Sequence, residues 1–179
     1  PRDPAELVDP DEWWTERRLI ARKLLDKGDA ATAWRIASEH AATGAEARIE
    51  AEFHAGWIAL RFLNDPAKAA PHFARMAGIA ATPLSLSRAF YWQGRAAEAT
   101  PDGGEAARGF YDRAAAWPTT FHGQLARAKI GASPAALRAA PAESVGDKRA
   151  AIVRVAELFY ALGEKELAAS LVSEAARGL

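Results

Sequence analysis

Hydrophobic side chains recur every three or four residues along most of this chain, which is the spacing of one face of an α-helix. The clearest stripe, Ile49, Phe53, Trp57 and Leu60, steps by four, four and three residues inside a helix predicted over 45–63. A stripe of this kind is normally buried against neighbouring elements. We therefore expect it to face the core.

A second stripe predicts the first helix, over 11–27. Its members share helical spacing and are Trp13, Arg17, Ile20 and Leu24. Gly28 follows at the position where helices commonly end, and Asp29 is placed to cap a second helix that runs to about residue 42. Because the connection is so short, the two helices are expected to form an antiparallel hairpin.

Capping residues and prolines divide the remainder into further helices. Asp65-Pro66 and Thr82-Pro83 each place a capping side chain before a proline in the first turn, so they predict the starts of the fourth and fifth helices. Pro71 predicts a kink or a late start in the fourth. The later boundaries are the turn at 101–104, Trp117-Pro118 after the sixth helix, Thr119 or Thr120 as the cap of the seventh, and Gly163 at the turn of the last hairpin.

The pattern thus predicts an all-α fold, an α-solenoid of antiparallel helical hairpins that is tetratricopeptide-like. Its segments are an N-terminal extended segment (1–10), a helical-hairpin solenoid (11–130), an irregular linker or short helix rich in Gly, Ala, Ser and Pro (131–147), and a further helical hairpin of the same solenoid (148–179). Alanine fills 45 of the 179 positions and valine only 5, a balance that favours helix over strand.

Small residues recur at matching places in hairpins that are far apart in sequence. The first and last hairpins match at one constant offset, through Ala21, Gly28 and Ala33 in one and Ala156, Gly163 and Ala168 in the other. Another hairpin resembles the tetratricopeptide pattern, with consensus positions at Gly94, Ala106, Phe110 and Pro118. We expect the small residues to lie where paired helices cross, and the hairpins to stack into a superhelix with a concave surface.

Charge and composition narrow the range of partners. Lys plus Arg and Asp plus Glu both number 23, so no basic surplus indicates a nucleic-acid partner. The sequence contains no run of 18 apolar residues, so it does not predict a membrane span. Cysteine is absent from the sequence, which excludes disulfides and thiolate metal sites.

No catalytic, cofactor-binding or metal-binding residue is predicted, and no cofactor. Glu50 and His54 share a helix face without a third ligand, so we interpret them as a hydrogen-bonded pair. Gly103-Gly104 lacks the Gly-Lys-Ser/Thr ending of a phosphate loop and is interpreted as a turn.

Six tryptophans offer flat apolar surfaces on which sugar rings can stack. They are Trp13, Trp14, Trp34, Trp57, Trp92 and Trp117. Trp57 and Trp92 fall in apolar stripes and are interpreted as core residues. Trp13 and Trp14 are adjacent in a helix and cannot both face inward.

Four tracts resemble the helical region that precedes the catalytic domain in soluble lytic murein transglycosylases. They are 11–34 (DEWWTERRLIARKLLDKGDAATAW), 52–76 (EFHAGWIALRFLNDPAKAAPHFARM), 87–99 (SRAFYWQGRAAEA) and 111–131 (YDRAAAWPTTFHGQLARAKIG). The resemblance covers about residues 11–179. It implies a periplasmic parent enzyme that cleaves the β-1,4 bond between N-acetylmuramic acid and N-acetylglucosamine, leaving a 1,6-anhydro end without a cofactor. The implied partners are peptidoglycan glycan strands, through the parent enzyme, and the catalytic domain that these 179 residues lack.

In that family one glutamate, in a Glu-Ser motif followed by Gly-Leu-Met-Gln, serves as acid and then base. Glu143-Ser144 reproduces the dipeptide, but Val145-Gly146-Asp147 follows it in the predicted linker, so we do not assign it as catalytic. The segment alone is expected to be inactive on glycan.

Two functional hypotheses follow. The first is a noncatalytic superhelical part of a lytic transglycosylase; the alternative is a tetratricopeptide-like scaffold that binds a peptide or protein in its concave groove.

Overall fold

The structure, a computed structural model, describes residues 8–133 and 148–177. Within these ranges it contains nine α-helices and no strand, which confirms the all-α prediction. The helices are α1 (Pro10–Asp26), α2 (Ala30–Ser38), α3 (Ala45–Arg61), α4 (Pro66–Ile79), α5 (Pro83–Glu98), α6 (Gly104–Ala115), α7 (Phe121–Lys129), α8 (Lys148–Ala161) and α9 (Lys165–Arg177). The chain divides into two compact units, Pro1–Ala136 and Leu137–Leu179.

Side-chain caps fix where most helices of the first unit begin. Asp9, Asp29 and Asp65 accept hydrogen bonds from backbone N–H groups in the first turns of α1, α2 and α4. Thr82 does the same for α5 and Thr120 for α7. The caps predicted at Asp29, Asp65 and Thr82 are confirmed, and the second of the two adjacent threonines caps α7.

Three predicted helix boundaries are wrong. α1 begins at Pro10, inside the segment predicted to be extended, because Asp9 caps it and proline is tolerated at the first helical position. α2 ends at Ser38, short of the predicted end. α4 begins at Pro66, where Asp65 caps it, so the late start predicted from Pro71 is wrong, while the alternative of a kink stays a prediction. The Pro71 ring is exposed.

The buried face of α1 is one residue out of register with the predicted stripe. Trp14 is 3% exposed and Ala21 is buried, whereas Trp13 is 44% exposed and Ile20 lies largely in solvent. The side of α1 that carries Ala21 is the buried one, because this small residue allows α2 to approach closely. Arg17 of the predicted stripe instead donates to two backbone carbonyls at the C-terminal end of α2, where helical carbonyls lack partners.

α3 lies at the centre of the first unit, since it packs against α1, α2, α4 and α5. Its deepest apolar residues include Ala51, Ala55 and Ile58. Phe53 and Trp57 of the predicted stripe are only partly buried. The predicted stripe of α3 therefore covers only one side of the helix, and other sides of α3 are buried as well.

Consecutive helices of the first unit contact one another. Short turns join α1 to α2, α3 to α4 and α5 to α6, and the two helices of each pair contact one another. The odd-numbered helices α1, α3, α5 and α7 also contact one another in succession. In the second unit, α8 and α9 pack together around one turn.

The hairpins α3–α4 and α5–α6 share one packing register. A Cβ on Gly56 would lie 2.7 Å from the Phe73 ring in α3–α4, and a Cβ on Gly94 would lie 2.5 Å from the Tyr111 ring in α5–α6. In both hairpins, a ring of the second helix fills the space that the glycine of the first leaves open. The alanines of the second helices that match at the same sequence offset, Ala69 and Ala107, are both buried.

The tetratricopeptide alignment is one residue out in α6. Gly94 lies at the helix crossing, as predicted, but Ala106 is exposed and Phe110 is only partly buried. Ala107 and Tyr111 take the buried positions. The α5–α6 connection is one residue longer than the consensus spacing assumes, and this shifts the buried face.

The matching small residues of the first and last hairpins lie at their turns and crossings, as predicted. The four alanines, Ala21, Ala33, Ala156 and Ala168, are all buried. Gly28 and Gly163 have φ values of 81° and 86°, in the left-handed region where glycine is favoured because it has no Cβ.

Most of the predicted linker, including Glu143-Ser144, lies outside the described residues. That 148–179 belongs to the same solenoid stays a prediction. No helix in the described part of the chain has the length and apolar character needed to cross a membrane.

Candidate functional site

A buried carboxylate on α3 is the centre of a polar cluster that joins α3, α4 and the segment after α2. Glu52 is 6% exposed. His72 Nδ1 lies 2.6 Å from its Oε2, Arg75 Nε donates to its Oε1 at 2.7 Å, and His40 Nε2 lies 3.4 Å from the same oxygen. Three segments are thus held by a single carboxylate.

The partners of Glu52 keep it ionised. Burial by itself would raise its pKa, but hydrogen bonds from His40, His72 and Arg75, together with the positive charge of Arg75, lower the pKa well below its ordinary value. A general acid must carry a proton near the working pH. The carboxylate is therefore suited to holding helices together rather than to acid catalysis.

Aromatic rings pack against the two histidines of the Glu52 cluster. Trp34 packs edge-on against His72 with ring centroids 6.2 Å apart, and Trp14 packs edge-on against His40 at 6.1 Å. Glu52 and the two histidines are thereby shielded from water, whereas the Arg75 side chain is half exposed.

The Glu50–His54 pair lies on the same helix as Glu52. His54 Nδ1 is 2.7 Å from the Glu50 backbone oxygen, while the Glu50 carboxylate accepts from Arg88 of α5 at 2.6 Å. The carboxylate is thus used to connect α3 to α5. Burial, opposed in part by the neighbouring Glu50, lowers the pKa of His54, so its ring is neutral at pH 7.

A polar groove of about 460 Å³ lies between the N-terminal parts of α1 and α3. Its polar and aromatic lining residues include Asp11, Glu12, Trp14, Arg18, Glu46 and Glu50. Asp11 closes one end, because its carboxylate accepts from the backbone N–H groups of Thr43 and Gly44 at 2.8 to 3.2 Å. These hydrogen bonds lower the pKa of Asp11.

A second ionic cluster ties α5, α6 and α7 together. Glu98 accepts a hydrogen bond from the Tyr111 hydroxyl at 2.8 Å and from Lys129 Nζ at 2.7 Å, and Arg95 Nε lies 3.1 Å from its carboxylate. Burial by itself would raise the pKa of Glu98, but the hydrogen bonds from Lys129 and Tyr111 outweigh it, so the pKa is lowered. The cluster surrounds the Gly94–Tyr111 crossing.

The tryptophans serve mainly to pack helices. Trp57 contacts Phe53 and Phe62, and Trp92 stacks on Phe73 and meets Phe53 edge-on. Both are partly buried, in agreement with their interpretation as packing residues.

The residues weighed and set aside as candidates in the sequence lie where their structural interpretations place them. Glu50 and His54 are adjacent, whereas Gly103 caps α6 and Gly104 begins it, as the turn interpretation requires. In residues 8–133 and 148–177, no group of three or more His, Asp or Glu side chains is arranged to hold a metal ion.

Sequence reasoning missed the Glu52 cluster. One signal was present: Glu52 stands between Ala51 and Phe53 in the most apolar helix pattern of the chain, and His72 and Arg75 follow on the next helix. A charge in such a pattern indicates a buried partner, because an unpaired buried charge is very costly.

The comparisons with known proteins give no family for this chain. No protein-family model, no curated protein and no solved structure matches it.

Proposed function

We propose that this chain is a noncatalytic scaffold segment of a soluble lytic murein transglycosylase, arranged as an α-solenoid of helical hairpins. The observation that carries the proposal is where the resembling tracts fall. The tract 52–76 spans the α3–α4 crossing, with Gly56 and Phe73, and the tracts 87–99 and 111–131 supply Gly94 and Tyr111. The resembling tracts thus contain the glycines and aromatic rings that set the register of the two hairpins.

The chemistry of the buried carboxylate supports a scaffold role. Glu52 is ionised and bonded to His72 and Arg75, and Glu98 is bonded to Tyr111 and Lys129. Such ion pairs fix the positions of helices. In this proposal a separate lysozyme-like domain carries the catalytic glutamate, and the hairpins hold that domain and the glycan strands in a fixed relation.

A second candidate function is a tetratricopeptide-like scaffold that binds a peptide. The recurring pair of an alanine and, four positions later, a ring favours it: Ala69 precedes Phe73, and Ala107 precedes Tyr111, as in the tetratricopeptide consensus. The polar groove between α1 and α3 would then be a candidate binding surface.

Reading the gene beyond the codon for Leu179 separates the two candidates. A downstream Glu-Ser motif followed by Gly-Leu-Met-Gln supports the transglycosylase segment, and its absence contradicts that proposal. In a cell-wall gel assay, the chain alone should clear no peptidoglycan, while the product of the longer gene should. Clearing by the chain alone would show that it is not a noncatalytic segment.

A further inference from the structure

The second unit carries an apolar groove between its two helices. The groove is about 540 Å³ in volume, and its lining includes Val153, Ala156, Tyr160, Ala168 and Val172. In α8, α9 and the turn between them, the buried apolar residues among those described are two alanines, while several large apolar side chains are exposed. These are Val153, Val155, Leu158, Tyr160, Leu162, Leu167 and Val172. A surface of this composition is typical of an interaction site.

The turn between α8 and α9 repeats the backbone geometry of the turn between α1 and α2. The Gly28 N–H donates to the carbonyl three positions before it, and the Gly163 N–H does the same, at 2.9 and 3.1 Å. The next residue in each turn, Asp29 or Glu164, donates to the carbonyl five positions before it at 2.9 Å. The crossing alanines match at the same sequence offset as the two glycines. Each position on one hairpin therefore has a counterpart on the other.

In the first unit, α3 covers the face that corresponds to the groove. Ala37 of α2 is fully buried in one cluster with Ala51, Ala55 and Ile58 of α3. Its counterpart in α9, Val172, lines the groove and is 52% exposed. The same face is thus covered by a helix in one hairpin and open in the other.

We propose that the groove between α8 and α9 binds an α-helix of a partner segment, seated as α3 is seated on α1–α2. The recognised pattern is that of the α3 face, with small side chains at positions i and i+4 and a branched aliphatic side chain at i+7, as in Ala51, Ala55 and Ile58. Small residues are required because they let the partner backbone approach the crossing alanines. The proposal rests on the internal repeat and does not depend on the enzyme family.

A second copy of the hairpin fits this face less well. Tyr160 and Val172 line the groove and are 63% and 52% exposed, so two copies placed face to face would bring these bulky side chains together. The space above Ala156 and Ala168 would then stay unfilled, which forfeits packing contacts. A helix with a small-residue stripe fills that space.

The test is a titration of the whole chain into a fluorescently labelled peptide of residues 44–62, which contains α3. Saturable binding, measured by anisotropy, is expected, and Val172→Glu should weaken it about tenfold or more because it places a charge in the groove. The matched control is Leu84→Glu, at a 69% exposed leucine of α5 in the first unit, which should bind as the unchanged chain does. Both replaced side chains are exposed, so circular dichroism should show unchanged helix content.

A second peptide tests the small-residue requirement. With Ala51 and Ala55 both replaced by leucine, it stays helical and apolar but should bind at least about tenfold more weakly, because its backbone cannot approach. The proposal is overturned by an absence of saturable binding, by equal weakening in Val172→Glu and Leu84→Glu, or by equal affinity of the leucine peptide. A concentration-dependent dimer that Val172→Glu abolishes would assign the groove to a second copy and also overturn it. None of these results depends on the gene reading or the cell-wall assay.

Discussion

The hairpins α3–α4 and α5–α6 use the same register with different chemistry. Gly56 meets the Phe73 ring in one, and Gly94 meets the Tyr111 ring in the other. The two glycines and the two rings are separated by the same offset in the sequence. Beside this shared crossing, the contacts diverge.

The divergence centres on two arginines that match at this offset. Arg75 donates to the buried carboxylate of Glu52 at 2.7 Å, whereas Arg113 lies over the ring of Phe90, with its Cζ 3.8 Å from the ring centroid. Glu52 and Phe90 also match at the same offset. The comparison shows that the glycine and the aromatic ring set how the two helices of a hairpin pack. The partner of the neighbouring arginine can be either a carboxylate or an aromatic ring.

The largest loss of stability should come from removing the buried carboxylate of the α3–α4 hairpin. Glu52→Gln removes the charged acceptor that two largely buried histidines share, and we expect a loss of about 2–3 kcal/mol in the free energy of unfolding, because hydrogen bonds to a charged group are the stronger ones. The Arg75 side chain is half exposed and contributes less, since water can solvate it. Urea denaturation measures this loss. The control Glu98→Gln changes a much more exposed carboxylate and should cost less than about 1 kcal/mol. Equal losses for the two variants would contradict the special role of Glu52.

The shared register can be tested at its glycine. Gly94→Ala places a methyl group against the Tyr111 ring, which is itself buried, so we expect a loss of about 2 kcal/mol from overpacking. Gly78→Ala is the control, since a Cβ there meets nothing within 4 Å and alanine favours helix by up to about 1 kcal/mol. Thermal unfolding should move in opposite directions for the two variants. A destabilised Gly78→Ala or an unchanged Gly94→Ala would show that the crossing is looser than described.

The aromatic version of the arginine contact should be the weaker one. Arg113→Ala removes a cation–π contact on an exposed side of α6, and we expect a cost of about 0.5–1 kcal/mol. Arg75→Ala should cost more, because it leaves Glu52 buried with one donor fewer. The comparison of the two variants by urea denaturation sharpens the contrast between the hairpins. A reversed order would contradict it.

At neutral pH the smallest effect concerns the histidine of α7, because its contribution to stability changes only as pH falls. Burial, and then the positive charge of Arg88, lower the pKa of His122 from 6.5 to about 4. Between these two values the unfolded chain takes up a proton that the native chain refuses, so stability is lost as pH falls from 6.5 towards 4. His122→Gln should reduce this slope without removing it, since the pKa of His54 is lowered as well. An unchanged slope, from denaturation at several pH values, would contradict the assignment.

Sequence reasoning predicted what is decided locally. The caps at Asp29, Asp65 and Thr82 and the turn at Gly28 depend on residues a few positions apart, so the helices and their connections could be anticipated. Helical periodicity also identified most of the amphipathic segments.

The remainder depends on which helix packs against which. Trp14 is buried and Trp13 is not because α2 approaches α1 at Ala21, which the sequence of α1 does not reveal. Likewise, Ala107 is buried and Ala106 is exposed, and this depends on the length of the preceding turn. The Glu52 cluster joins residues on separate helices, so its pairing follows from the tertiary arrangement. Local pattern cannot supply such a pairing.

The measurement that tests the account most directly is mass spectrometry of the fragments released from purified peptidoglycan. The product of the gene extended beyond Leu179 should release muropeptides with 1,6-anhydro ends, and the chain ending at Leu179, under the same conditions, should release none. Release of such ends by the shorter chain, or none by the longer product, would contradict the claim that these hairpins are the noncatalytic scaffold of a lytic transglycosylase.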